Sequence, residues 1–222
     1  MPGRFSLGKD ADSLRESFPW LQVPDGYRAR YNISPGQAIG VVTNEAPKQL
    51  DFLTWGLIPS WSKGVKMTKF LVNARAESVS TRLSFKSSFR RRRCLVFADG
   101  YYEWVKEKGR REKIPFYVQL RSRAIFAFAG IWDSWLSIDG SEIKSCCIIT
   151  TDPNELVGEI HHRMGVILDQ EDFDIWLQSG EAHPDELLDL LRPYPAEKMR
   201  YQEVSTYVTK KENDGEACIQ PV

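Results

Sequence analysis

Between Tyr31 and Trp132 the chain is dominated by short runs rich in β-branched and aromatic residues: IGVVT (39–43), CLVFA (94–98), YYEWV (101–105), PFYVQL (115–120) and IFAFAGIW (125–132). Such runs favour extended, buried backbone. Turn-forming pairs at Asp99-Gly100, Lys108-Gly109 and Asp139-Gly140 separate them or follow the last, so antiparallel strands and hairpins are predicted. SCCIITT (145–151) and RMGVIL (163–168) read as further strands. Helical spacing is confined to short stretches. Residues 10–20 place Leu14, Phe18 and Trp20 among charges, 171–178 space Phe173, Trp176 and Leu177, and 184–191 space Leu187, Leu188 and Leu191. Asp152-Pro153-Asn154-Glu155 offers a cap, a first-turn proline and an acidic residue, predicting a helix to about His161. The expected fold is α+β. It is a single domain over residues 1–222, with a β-rich, largely antiparallel, partly closed, barrel-like sheet flanked by short helices.

Composition narrows the function classes. The 222 residues carry 30 basic and 30 acidic side chains, so a globally basic surface for nucleic acid is excluded and any such binding must come from a local cluster. No apolar run reaches the ~20 residues of a membrane span, and the N-terminus lacks the apolar region of a secretory signal. A cytoplasmic, monomeric protein with no membrane partner is expected. Cys94, Cys146, Cys147 and Cys218 show no CxxC spacing, and the histidines are His161, His162 and His183. Neither a metal site nor a disulfide framework is expected, and no cofactor is called for.

Several strings hold more chemistry than a core requires. Removal of Met1 before a small residue would leave Pro2 with a secondary amine able to attack an aldehyde; the same string also serves as a permissive chain start. Trp55 and Trp61 bracket a Pro-containing turn and could stack on bases or fold inward as an aromatic corner. Alternation would set Asn73, Arg75 and Glu77 on one face of an extended segment, suited to a phosphate oxygen or to an Arg75–Glu77 surface pair. Arg90, Arg91, Arg92 and Arg93 run into an apolar strand, where alternation would let two of them, such as Arg90 and Arg92, line one groove. Glu103 lies between aromatic residues, which desolvate a carboxyl and raise its pKa toward proton-shuttling range, whereas Asp99 reads as a turn residue. His161 stands at a predicted helix end, where it either answers the helix dipole or completes an acid/base set.

Taken in order, MxGRF, RYNISPGQ (30–37), WGLIPSW (55–61), NARAES (73–78), SFRRRRCLVFADGYYEW (88–104), FAFAGIW (126–132), IITTDPN (148–154), IHHRM (160–164), VST (204–206) and NDGEACIQPV (213–222) resemble the SRAP family of SOS response-associated peptidases, or abasic-site-processing proteins. The resemblance implies binding of single-stranded or junction DNA and recognition of abasic sites. It implies crosslinking through a cysteine after the initiator Met, whose amine forms a Schiff base with the sugar aldehyde and whose thiol closes a thiazolidine. By position it makes Arg4, Asn73 and Arg75 DNA contacts, Glu103 the acid/base carboxylate, His161 an assisting histidine and Thr150 a neighbour of the site. The departure is Pro2, which carries no thiol. Gly165 stands where the family usually has Pro, and Thr209 where it usually has Asn. The readings that follow are an abasic-site binder with an impaired stable crosslink, a lyase acting through a free Pro2 amine, a non-covalent binder if Met1 stays, and a peptidase working on its own N-terminus.

Overall fold

The computed structural model describes residues 2–62, 71–107, 109 and 111–222. Met1 and Lys108 of the expected Lys108-Gly109 turn lie outside them.

Two sheets carry the architecture. The smaller runs in the order β13-β8-β7-β1-β2, from β1 (Phe5–Leu7), β2 (Arg30–Ile33), β7 (Gly100–Val105), β8 (Ile114–Leu120) and β13 (Met199–Glu203). The larger is built on β3 (Ala38–Thr43), β4 (Leu50–Trp55), β6 (Arg93–Ala98), β9 (Phe126–Leu136) and β10 (Glu142–Thr151). These close into a ring, because β10 pairs with β9 on one edge and with β4 on the other. β5 (Asn73–Arg75) extends the β4 edge of β10, and β11 (Met164–Gly165) and β12 (Ile167–Leu168) fill the gap between β10 and β9. β10·β4 and β10·β5 are parallel and every other named pairing is antiparallel. β6 is buried along its whole length, and so are Phe126 to Asp133 of β9, which is why these segments read as continuous apolar runs rather than alternating ones.

The helices are short, as expected. Asp10 caps α1 (Ala11–Ser17) by accepting from the Ser13 N–H. α2 (Ala76–Val79) follows β5 directly. The helix after β10 corrects the expected start and end. Asn154, not Asp152, is the cap of α4 (Glu155–Gly158), accepting from the Val157 N–H at 2.8 Å, and the helix stops before His161. Asp152 instead accepts from Arg163. The 171–178 stretch divides into a 3₁₀ turn and α5 (Phe173–Trp176), and 184–191 yields α6 (Pro184–Leu188).

Two expectations fail at the sheet junctions. Asp99-Gly100 does not turn a hairpin; β6 and β7 belong to different sheets, and Asp99 is where the chain crosses between them. Gly100 is needed because a Cβ there would run into the Tyr117 ring. The four arginines do not share a strand either. Arg90 and Arg91 end α3 (Lys86–Arg91), Arg92 follows as its C-cap, and Arg93 opens β6. Arg93 is fully buried and donates to the carbonyls of Phe89, Arg90, Trp176 and Gln178. One guanidinium thereby satisfies orphan carbonyls at the ends of both α3 and α5.

Candidate functional site

The β1–β7 register (Phe5 opposite Tyr101) and the hydrogen bond from Tyr102 N–H to the Arg4 carbonyl carry the chain start back along β7 toward Glu103. Pro2 is buried there. Its carbonyl accepts from Asn73 Nδ2 at 3.0 Å. Its ring lies against the backbone of Gly165, where an added Cβ would stand 3.1 Å from Pro2 Cγ and 2.5 Å from the Phe128 ring. Glycine at 165 is thus required first by the Phe128 ring, and it also keeps the backbone clear of the pyrrolidine at 2. Asn73 Oδ1 is buried with no hydrogen-bond partner among the described residues, an unused acceptor beside residue 2.

Glu103 is 5% exposed, and burial lifts its carboxyl from 4.5 to about 7. His161 Nε2 lies 3.9 Å from Glu103 Oε2. Burial pushes the imidazole down to about 4. The proximity alone would favour a charged pair, but both shifts run toward neutral forms, so desolvation outweighs the attraction. The ring is held by the backbone of residue 163: Nδ1 is 3.0 Å from both the N–H and the carbonyl of Arg163. The neutral Nε2–H tautomer accepts from the N–H, and a protonated Nδ1 donates to the carbonyl. The mount therefore accommodates a gained or lost proton. His162 stacks on His161 with ring centroids 4.3 Å apart.

Arg163 braces this loop. Its guanidinium donates to both carboxylate oxygens of Glu77, to Asp152 and to the Thr150 carbonyl. Glu77 thus sits on α2 facing Arg163, not beside Asn73 and Arg75 on one extended face. Arg75 is exposed at the end of β5, with Thr150 as its register partner. Thr150 itself is fully buried, its hydroxyl on the Ala74 carbonyl, so it braces the strand that carries Arg75 from inside the core. Trp55 is likewise corrected: wholly buried, it packs edge-on to Phe5 and donates Nε1–H to the Val72 carbonyl, which fixes the strand that presents Asn73. Trp61 is 64% exposed, an indole open to stacking. Arg92 donates to Asp133, which also accepts from the Ser60 N–H beside Trp61. Arg90 and Arg91 pair with Glu181, which leaves them less charge for a phosphate track. Arg4 donates to Asn32 Oδ1 and the Val208 carbonyl and covers the Trp104 ring, tying the C-terminal segment to the sheet.

Two contributors escaped the sequence reading, and a third, Gly165, was noted there only as a departure from the family. Tyr101 shares the Glu103 face of β7, and its buried hydroxyl has no hydrogen-bond partner among the described residues. Phe128 floors the Pro2 seat and meets the Tyr101 ring at 5.8 Å. Gly165 completes it. Among the described residues, no group of three His, Cys, Asp or Glu stands close enough to hold a metal. No helix among them is long and apolar enough to cross a membrane.

The raised carboxyl pKa has a thermodynamic consequence. Below pH 4.5 Glu103 is protonated both folded and unfolded; from there to about 7 the unfolded chain ionises first, so stability contributed by the neutral form is lost as pH rises. Glu103→Gln cannot ionise. Relative to the parent it should gain up to about 3 kcal/mol between pH 4.5 and 8, from ~1.36 kcal/mol per pKa unit. Urea denaturation at both pH values checks this, and parallel pH profiles of the two proteins would contradict the burial of an ionisable group.

A closed barrel and a second sheet together bury Pro2 against Asn73 and Gly165 and set the Glu103 carboxyl against the His161 imidazole. Residues 1–211 match the family model described as SOS response associated peptidase (SRAP), and the chain belongs to that family. It is similar to the abasic site processing protein YoqW of Bacillus subtilis (strain 168), 40% identical over 223 residues that cover 99% of each chain. It is also similar to the abasic site processing protein HMCES of Gallus gallus, 31% identical, covering 96% of this chain and 72% of the relative. A crystal structure of a protein from Bacteroides thetaiotaomicron superposes with a TM-score of 0.85 at 28% identity, covering 99% of both chains.

Proposed function

We propose that this chain binds single-stranded or junction DNA at abasic sites and engages the lesion's sugar aldehyde through the Pro2 amine, exposed once Met1 is removed. The observation that carries the reading is the Pro2 seat, with residue 2 fixed by Asn73, Phe128 and Gly165 on the Glu103–His161 side of the sheet. The secondary amine attacks C1′ of the open-chain sugar to give a carbinolamine. Loss of water, with the proton supplied by neutral Glu103, yields an iminium. The iminium acidifies the C2′ proton; its removal by ionised Glu103 expels the 3′ phosphate, and hydrolysis of the remaining iminium returns the amine. Burial raises the Glu103 carboxyl toward neutrality, which brings both its protonated and its ionised form within reach of the two steps. No thiazolidine closes. Pro2 has no thiol, and all four cysteines of the chain are buried. The same lack weakens a self-processing peptidase reading.

Sodium borohydride added to the parent protein with an abasic single strand should trap a reduced amine adduct. A chain whose intact mass lacks Met1 and which still gives no trapped adduct would overturn the covalent reading.

Arg75 supplies the phosphate contact next to the seat. Affinity for single-stranded DNA should fall with salt, and Arg75→Ala should reduce the log–log slope by about 0.7, one phosphate's share. An unchanged slope and affinity would remove Arg75 from the DNA interface.

A further inference from the structure

The smaller sheet has a second face. Glu103 is opposite Phe116, whereas Tyr102 is opposite Tyr117, and Gln119 and Tyr117 are opposite Arg200 and Gln202. Side chains alternate, so Tyr117, Gln119, Arg200 and Gln202 occupy the side away from Glu103. On that side lies a cavity of about 340 Å³ lined by these four residues, Lys9, Asp99, Arg123 and the C-terminal Ile219–Pro221. This volume is in the range in which proteins hold small molecules.

Its charge does not balance. Lys9, Arg123 and Arg200 line it against Asp99. The Asp99 carboxyl is buried and already occupied, accepting from Ser6 Oγ at 2.5 Å, the Gly8 N–H at 2.8 Å and Tyr117 Oη at 3.2 Å. Burial also raises its pKa, which makes it a weaker counter-charge. Arg200 Nε is buried with no hydrogen-bond partner among the described residues. Arg123 has φ +58°, a left-handed conformation that no other described non-glycine residue adopts. It lies in the exposed turn between β8 and β9, which brings its side chain to the cavity. Two arginine forks and an ammonium gathered around a cavity, with amides from Gln119 and Gln202 and an apolar wall from Ile219 and Pro221, match a phosphate that carries an organic body.

We propose that this cavity, separate from the Pro2 seat and independent of the abasic-site reading, is a binding site for a phosphate monoester. Both a free nucleotide and the terminal phosphate of a DNA strand present that group, and calorimetric titration of the full chain distinguishes them. One arm compares deoxyadenosine monophosphate with deoxyadenosine. The other compares a 5′-phosphorylated oligonucleotide with its 5′-hydroxyl counterpart. In at least one arm the phosphate-bearing probe should bind tighter by about tenfold or more. The arm in which this happens names the source. Arg123→Gln with Arg200→Gln should abolish the preference, and Lys9→Gln, a change at an exposed residue outside the strand pairings, should weaken it while circular dichroism stays unchanged. No preference in either arm, or a preference that survives all three substitutions, overturns the proposal.

Discussion

Pro2→Cys should convert a protein that forms no heat-stable adduct into one that crosslinks most of its molecules to an abasic oligonucleotide without reductant. The chemistry turns on one atom. An aldehyde and the Pro2 amine give an iminium that water reverses. A cysteine in the same seat gives an imine whose carbon its own thiol then attacks, closing a five-membered ring with no redox change and no leaving group beyond the first water. The seat has space for it, because Gly165 presents no Cβ and the pyrrolidine ring already occupies the volume that the smaller side chain would take. Asn73 would still grip the carbonyl of residue 2, a bond that does not depend on the side chain. A denaturing gel after heating reads the result, and an intact mass establishes that Met1 is gone. A stable adduct from the unaltered Pro2 protein would mean that a different nucleophile acts. A Pro2→Cys protein lacking Met1 that forms no adduct would mean that the seat is not where the aldehyde arrives.

Which parts of this site were legible in the sequence follows from how local each signal is. Glu103 was legible as a lone carboxyl in an aromatic run, but in the strand Tyr102 and Trp104 point to the other face and the ring beside it on its own face is Tyr101. Asn73 and Arg75 were legible because a three-residue strand keeps alternate residues on one side. Tyr101, Phe128 and Gly165 were not, since the seat exists only when β7, β9 and β11 come together and no single segment shows it. Asp99-Gly100 misled for the same reason. As a dipeptide it is a turn signal, yet Gly100 is there for the approach of Tyr117, a residue from another strand, and Asp99 is a buried acceptor. The arginine run resembles a solvated or phosphate-binding face until α3 and α5 both end against Arg93, whose carbonyl partners lie as far along the chain as Gln178. Trp55 and Thr150 show the converse. Their motifs belong to the site, but they act from inside the core by fixing the backbone that presents Asn73 and Arg75. The β-rich barrel was readable because β6 and the first part of β9 are apolar on both faces, whereas β4, LDFLTW, and β13, MRYQE, are part polar and gave no strand signal.

Glu103→Gln should suppress the borohydride-trapped adduct and strand nicking together, by ~10²–10⁴-fold, the worth of a positioned acid/base group. Two steps need the carboxyl in opposite states. The carbinolamine must be protonated to lose water, and C2′ must be deprotonated to expel the phosphate. At about 7 the Glu103 carboxyl supplies both forms, while His161, neutral down to about 4, does not offer an acid of comparable population at neutral pH. In the proposed reading it donates a hydrogen bond through Nε2–H to the sugar oxygen, while its Nδ1 accepts from the Arg163 N–H. Glutamine keeps the shape and the hydrogen-bonding capacity of the side chain and removes the proton transfer alone. Arg75, on a different strand, is untouched, so binding to undamaged single-stranded DNA should stay within about twofold, a difference below ~0.5 kcal/mol. The pH profile gives the second readout: nicking by the parent should rise and fall around 7, and the residual activity of Glu103→Gln should lose that inflection. If nicking survives the substitution, Glu103 is a spectator and another base removes the C2′ proton. If DNA binding collapses with it, the carboxyl holds the cleft together and the acid/base assignment is wrong.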